Sequence, residues 1–227
     1  MIADVDLVLD AAGALYWPDQ HLLVLADLHL EKGSSYARRG TLLPPYDSAA
    51  TLAGVRRLIA HYAPRLVIAL GDSFHDIDGP DRLASADRRS LLDLQRGREW
   101  IWVTGNHDPH PVKGVGGTFA AFLAIGRLIF RHEPSSENAV ASEGVLGEIA
   151  GHLHPVARIV SRGRGIRRRC FAGNVNRLVM PAFGAYAGGL NIRDAAFANL
   201  FDSLAFTAHL LGNERIYSFT AAHCRPD

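Results

Sequence analysis

Asp27-Leu28-His29, Gly71-Asp72, Gly105-Asn106-His107-Asp108, His132 and Gly151-His152-Leu153-His154 are the parts of this chain whose side chains could do chemistry. They offer carboxylate and amide oxygens and imidazole nitrogens, donors suited to manganese, iron or zinc. No thiolate is among them, which argues against a structural zinc site. Singly, each cluster is weak. Gly-Asp is a common turn, Asp-x-His is more often a loop pair, and Gly-Asn-His-Asp can be a simple Asn-containing turn. Only Gly-His-x-His is moderately specific. Their shared position decides more: each cluster follows an apolar run, and together they hold enough ligands for two metal ions.

Those runs are residues 21–26, 66–70, 99–104, 127–131 and 147–150. Short apolar stretches bounded by Gly and polar residues read as buried strands, and helical segments between them point to an α/β sheet covered on its faces. Ligands in such sheets collect beyond the carboxyl ends of the strands, so five dispersed segments are expected to meet along one rim. Residues 5–26 read as two or three strands. Pro44-Pro45 introduces a helix with Leu52, Val55, Ile59 and Tyr62 on one face, and a second helix is expected between residues 82 and 95. Strands return over residues 127–180, and a helix is expected within residues 197–211.

The ordered clusters resemble the signature of the calcineurin-like metallophosphoesterase superfamily: Asp-x-His, Gly-Asp, Gly-Asn-His-(Asp/Glu), His, Gly-His-x-His. The resemblance implies an α/β fold, a four-layer α/β/β/α sandwich, with two divalent transition-metal ions. One ion would take Asp27, His29, Asp72 and His154, the other Asp72, Asn106, His132 and His152, with Asp72 bridging. By the same resemblance His107 would protonate the leaving oxygen or stabilise the transition state, and Asp108 is expected to orient or charge that imidazole through a hydrogen bond. One position departs from the pattern. The family often has a second acidic residue three places after the bridging Asp, whereas this chain has His75 there and Asp76 one later.

A narrower resemblance rests on Gly13-Ala-Leu-Tyr-Trp-Pro18, Asp27-Leu-His-Leu-Glu-Lys-Gly33, Leu42-Leu-Pro-Pro-Tyr46, Phe130-Arg-His-Glu-Pro134 and Met180-Pro-Ala-Phe-Gly-Ala-Tyr-Ala-Gly-Gly189. These look like the bacterial ligase-associated DNA damage response phosphoesterases. That subgroup implies a manganese-dependent DNA endonuclease working beside a ligase, a helicase and an exonuclease. The same centre could instead hydrolyse small phosphomonoesters or cyclic nucleotides, or the fold could serve as a metal-binding scaffold without chemistry.

At 227 residues, residues 1–227 are expected to form a single domain with a sizeable core. No stretch approaches the roughly 20 apolar residues of a membrane helix. The first residues lack a basic start and apolar stretch, so the cytoplasm is the expected compartment, with Cys170 and Cys224 reduced. A net charge of +1 makes no global case for nucleic acid. Locally, Arg158, Arg162, Arg164, Arg167, Arg168 and Arg169 crowd a predicted hairpin of strands 156–161 and 166–171, its tip marked by Gly163 and Gly165. Such a hairpin can touch a polymer's backbone or can be a charged edge that resists aggregation. His21, His61, His209 and His223 lie away from the strand ends, and His75 and His110, nearer the rim, are not expected to be ligands. Residues 183–189 are expected to form pocket wall.

Overall fold

Leu22–Leu25 is apolar at every position because both faces of that strand are covered. In the computed structural model, which describes residues 1–135, 144–201 and 204–227, it is the third strand of a six-stranded sheet. The order is β1 (Val8–Leu9), β2 (Leu15–Trp17), β3 (Leu22–Leu25), β4 (Leu66–Leu70), β5 (Glu99–Val103) and β6 (Thr118–Ala120). Strands β1 to β3 form an antiparallel meander, and β3 to β6 run parallel. Leu25 pairs with Ala69, and Ala69 with Trp102, so the three central strands end level.

The second sheet has nine strands. Its main path runs from β13 (Leu190–Asn191) through β10 (Pro155–Ser161), β11 (Arg164–Gly173), β12 (Arg177–Val179), β9 (Gly147–Ala150) and β8 (Leu128–Arg131) to β7 (Phe122–Ile125). Off that path, β14 (Thr207–Leu211) pairs with β11, and β15 (Ile216–Thr220) pairs with β14. Strands β8 and β9 are parallel, with Arg131 opposite Ala150, so they too end level.

The layers follow from which side chains face where. Val24, Ile68, Leu70 and Val103 from the first sheet share a core with Phe130, Ile149 and Phe171 from the second and with Met180, just past β12. Leu23, Leu25, Val67, Ala69 and Trp102 point the other way, onto Leu52 and Val55 of α2 (Asp47–Tyr62) and Leu91 and Leu94 of α4 (Ser85–Gln95). Burying each such leucine or valine contributes roughly 1.5–3 kcal/mol. Ala157, Cys170, Ala172 and Leu210 form the outer face of the second sheet, under Phe197, Phe201 and Phe206. This is the expected α/β/β/α order, with a thin fourth layer built on one short helix, α5 (Ala195–Ala198).

Two expectations need correction. Among the described residues of 197–211 the helix is only the end of α5, because Thr207–Leu211 alternates Ala208 and Leu210, facing the Phe197 cluster, with Thr207 and His209 on the opposite face, a strand period. The helix expected from 82 to 95 breaks at Leu83, which separates α3 (Gly79–Arg82) from α4. The arginine-rich hairpin forms as expected. Ser161 pairs with Arg164, and Arg162 and Gly163 make a two-residue turn with positive φ at both positions. Among the described residues no helix is long and apolar enough to cross a membrane.

Candidate metal centre

The level strand ends bring the predicted clusters to one rim. Asp27 and His29 follow β3, Asp72 follows β4, Asn106 and His107 follow β5, His132 follows β8, and His152 and His154 follow β9. Five of these residues have left-handed backbones: Asp27, His29, Asp72, His152 and His154, with φ between 43° and 69°. That region is unfavourable for residues with a Cβ and persists only where surrounding contacts fix it. The contacts are present: Asp27 N–H donates to Gly71 O at 3.3 Å, His29 N–H to Asp72 O at 2.9 Å, and Gly151 N–H to His132 O at 2.9 Å. The glycines beside the ligands serve close approach. A Cβ on Gly71 would lie 2.3 Å from the His132 ring, and one on Gly105 would lie 2.2 Å from Asp72 Oδ1.

The side chains converge as two groups. In the first, His29 Nε2 is 3.2 Å from His154 Nε2, and His154 Nε2 is 3.3 Å from Asp27 Oδ1. In the second, Asn106 Oδ1 is 2.9 Å from both His132 Nε2 and His152 Nδ1, and His132 Nε2 is 3.3 Å from Asp72 Oδ1. Asp72 lies between them, its Oδ2 reaching within 4.0 Å of His29 Nε2. Each group gathers side chains that the sequence resemblance would assign to one ion, with Asp72 between the groups.

Burial sets the electrostatics. Desolvation, with His154 close by, drives the His29 imidazole down to about 2 and keeps it neutral. Burial also lowers His132, but its contacts with Asp72 and Asp27 outweigh that and raise it to about 9. For Asp72, burial pushes upward, yet His132 and the His107 backbone N–H hold the carboxyl down near 2. Burial and the neighbouring His132 lower His152.

The donor set fits divalent metal ions. Imidazole nitrogens face one another at 3.2 Å in both groups, a pairing that one proton at most can satisfy. Two buried carboxylates lie among them, and among the described residues no Lys or Arg forms an ion pair with either. Converging lone pairs, and the charge of two carboxylates that a protonated His132 offsets only in part, are what a bound cation neutralises.

Two neighbours differ from expectation. Asp108 does not hydrogen-bond the His107 ring. Its Oδ2 accepts the backbone N–H groups of Ser73 at 2.8 Å and Phe74 at 3.2 Å, and its Oδ1 accepts that of Gly105 at 3.0 Å. Asp108 therefore ties the β4 and β5 loops together, and burial raises its carboxyl to about 6 despite those donors. The His107 Nδ1 partner is the backbone carbonyl of His75, at 2.6 Å. His75 itself stacks on His107 with centroids 5.1 Å apart, and its Nδ1 lies 3.5 Å from His29 Nδ1. It could join His29 and His107 around a cation, a grouping that sequence reasoning did not anticipate. The available signal was its place three residues after Asp72. Asp76 instead turns away to pair with Arg82 at 2.8 Å.

A description of the calcineurin-like phosphoesterases matches residues 21–164, well over half of the chain and all the clusters above. The chain belongs to this family. As a calcineurin-like phosphoesterase it is a metal-dependent hydrolase of phosphate esters. Among solved structures it is similar to the Pseudomonas putida nuclease MPE, with 26% identity, a TM-score of 0.70 and 95% of each chain covered. A looser likeness, TM-score 0.40 at 12% identity over 88% of this phosphoesterase and 98% of the other chain, is to the phosphoesterase Yfce from E. coli. No curated protein matches the sequence.

Proposed function

We propose that this phosphoesterase is a manganese-dependent DNA endonuclease acting in repair, with a dinuclear centre and all 227 residues forming one catalytic domain. Asp27, His29 and His154 would hold one ion, Asn106, His132 and His152 the other, with Asp72 bridging. The observation that carries the dinuclear reading is the pair of ligand groups on either side of Asp72, reached at 4.0 Å from one and 3.3 Å from the other. The likeness to a nuclease over 95% of both chains supports a nucleic-acid substrate. Iron or zinc would suit the same donors. A ligase, a helicase and an exonuclease are the partners that the sequence resemblance suggests, in the cytoplasm.

When bound, the two ions would supply Lewis acidity to the scissile phosphate and to an attacking water. The chain's own residues do the rest. The His107 Nδ1–H donates to the His75 carbonyl, which fixes the ring and leaves Nε2 facing the centre, 3.9 Å from Asp72 Oδ2. As water adds to phosphorus and releases a proton to solvent, the bond to the leaving oxygen breaks, and His107, carrying a proton on both ring nitrogens, gives that oxygen its Nε2 proton and later recovers one from solvent. Asp108 holds the two loops on which Asp72 and His107 sit, and so sets their separation.

Cleavage of circular single-stranded DNA in the presence of manganese tests the proposal, since only internal cutting opens a circle. Linear products that appear with manganese and disappear with chelator are expected. Hydrolysis of cyclic nucleotides or phosphomonoesters, with circles left intact, would replace it with the small-ester reading.

A further inference from the structure

Loop 181–189 runs between two of the ligand segments. At its start Gly184 N–H donates to Asp27 O at 3.1 Å, and just beyond its end Leu190 N–H donates to His154 O at 3.1 Å. Its middle is fastened to α2, where Ala185 N–H donates to Thr51 Oγ1 at 3.1 Å and Phe183 lies over Gly54. Between this loop and α2 opens a groove of about 520 Å³, lined by Thr51, Arg57, His61, Arg169, Phe183 and Ala185.

Among the described residues no carboxylate pairs with the arginines of this groove. Arg169 is partly buried, and burial lowers its pKa; its one hydrogen bond goes to a neutral acceptor, Ala182 O, at 2.9 Å. It also lines a second cavity beside Gly188 and Gly189, so it stands between two openings. Arg57 is exposed, and among the described residues neither arginine forms an ion pair. The groove's one carboxylate, Asp10, already accepts Tyr62 Oη–H and Ala12 N–H, each at 2.7 Å. A desolvated guanidinium without a carboxylate is costly unless an anion completes it. On α2, Ala50, Gly54, Arg57 and His61 recur at helical spacing along the groove, and the exposed Tyr46 immediately precedes the helix.

We propose that this groove seats phosphates of a nucleic-acid strand beside the linkage being cut, with Arg57 and Arg169 as the anion contacts. The proposal rests on the reading of the substrate as DNA. It assigns binding to a surface lined by none of the candidate metal ligands. An exposed aromatic beside a basic track is the combination that holds single strands through base stacking and phosphate contact.

The test compares binding with turnover. Binding of a fluorescent twenty-nucleotide dT strand is measured in manganese, with His107→Ala present throughout to prevent cutting. Adding Arg57→Gln or Arg169→Gln is expected to weaken binding about tenfold each, the scale of one lost charge-assisted contact. Each should also flatten the dependence of log affinity on log salt by about 0.7. With His107 restored, both variants should hydrolyse an aryl phosphodiester at the parent rate, and Arg169→Lys should recover most of the binding. If Arg169→Gln loses aryl-ester turnover and DNA binding alike, Arg169 only props the loop. Unchanged affinity and slope in Arg57→Gln, whose exposed position makes misfolding no explanation, would overturn the groove. A parent protein that shows this arginine-dependent binding but cuts no DNA would leave the groove standing and remove the endonuclease reading.

Discussion

The metal rim and the α2 groove both face phosphate, and they meet its charge by opposite means. At the rim the protein contributes negative and neutral donors, buried and held by strained backbone, and leaves the positive charge to ions. In the groove the positive charge is covalent, carried on flexible side chains with few contacts. The rim should therefore respond to single-atom changes with collapse of function, whereas the groove should lose affinity in graded steps.

The largest effect is expected at Asp72, the residue shared by both ligand groups. Asp72→Ala should strip both ions and cut turnover on the order of 10⁴-fold or more, the scale seen when a member of a catalytic unit is lost. Elemental analysis of manganese-equilibrated protein should give two ions per chain in the parent and fewer than one in the variant. Full retention of one ion would show that the groups are independent and Asp72 is no bridge. Occupancy in the parent should fall at acid pH, because a protonated imidazole cannot ligate.

His107→Ala comes next. It should keep both ions yet lose about 10²- to 10⁴-fold of the turnover on DNA, as expected for loss of a general acid. The deficit should shrink on an aryl phosphodiester, whose leaving group needs little protonation. An equal loss on both substrates would reject proton donation by His107.

How much of this was legible in the sequence depended on where each residue's partners lie. The ligands could be read because metal chemistry restricts residue type and the apolar runs announce the strand ends. The role of Asp108 could not, because its acceptors' partners are amides of Ser73, Phe74 and Gly105. Backbone donors leave no trace in residue identity. The hold of His75 on the His107 ring was hidden for a similar reason, since it is made by a carbonyl that any residue has, although the place of His75 three residues after Asp72 was a signal. Residues 207–211 misled because Leu210 and Leu211 fit a helical face as readily as a strand. Among six clustered arginines Arg158 and Arg169 are both half-buried, and nothing in the sequence singled out Arg169 as the one that reaches Ala182 O.

Glycine substitutions sharpen the contrast at smaller amplitude. Gly105→Ala would place a Cβ 2.2 Å from Asp72 Oδ1 and 2.3 Å from the Asp72 backbone nitrogen, so the ligand or its loop must shift. A loss of about 1–3 kcal/mol in stability is expected, typical of overpacking, together with weaker metal binding. Gly188→Ala, beside the second cavity, meets nothing within 4 Å and should leave the melting temperature and metal content unchanged. Equal behaviour of the two variants, read by calorimetry and elemental analysis, would mean the rim is no more tightly built than the loop.

The smallest effect is expected at the tip of the arginine-rich hairpin, which looks in sequence like the natural DNA contact. Arg162 and Arg164 are exposed there, and six strand steps from Pro155 to Ser161 carry the tip about 20 Å from the rim. Farther down, Arg167 is already engaged, its Nε 3.0 Å from Asp227 Oδ1 and its guanidinium donating to Gly189 O. Arg162→Gln with Arg164→Gln should therefore change affinity for the dT strand by no more than about twofold, the effect of weakened long-range attraction through salt-screened solvent. The salt slope should stay at the parent value. A loss matching that of Arg57→Gln would move the binding surface from the groove to the hairpin, and Arg169 would then be important only for supporting the loop above it.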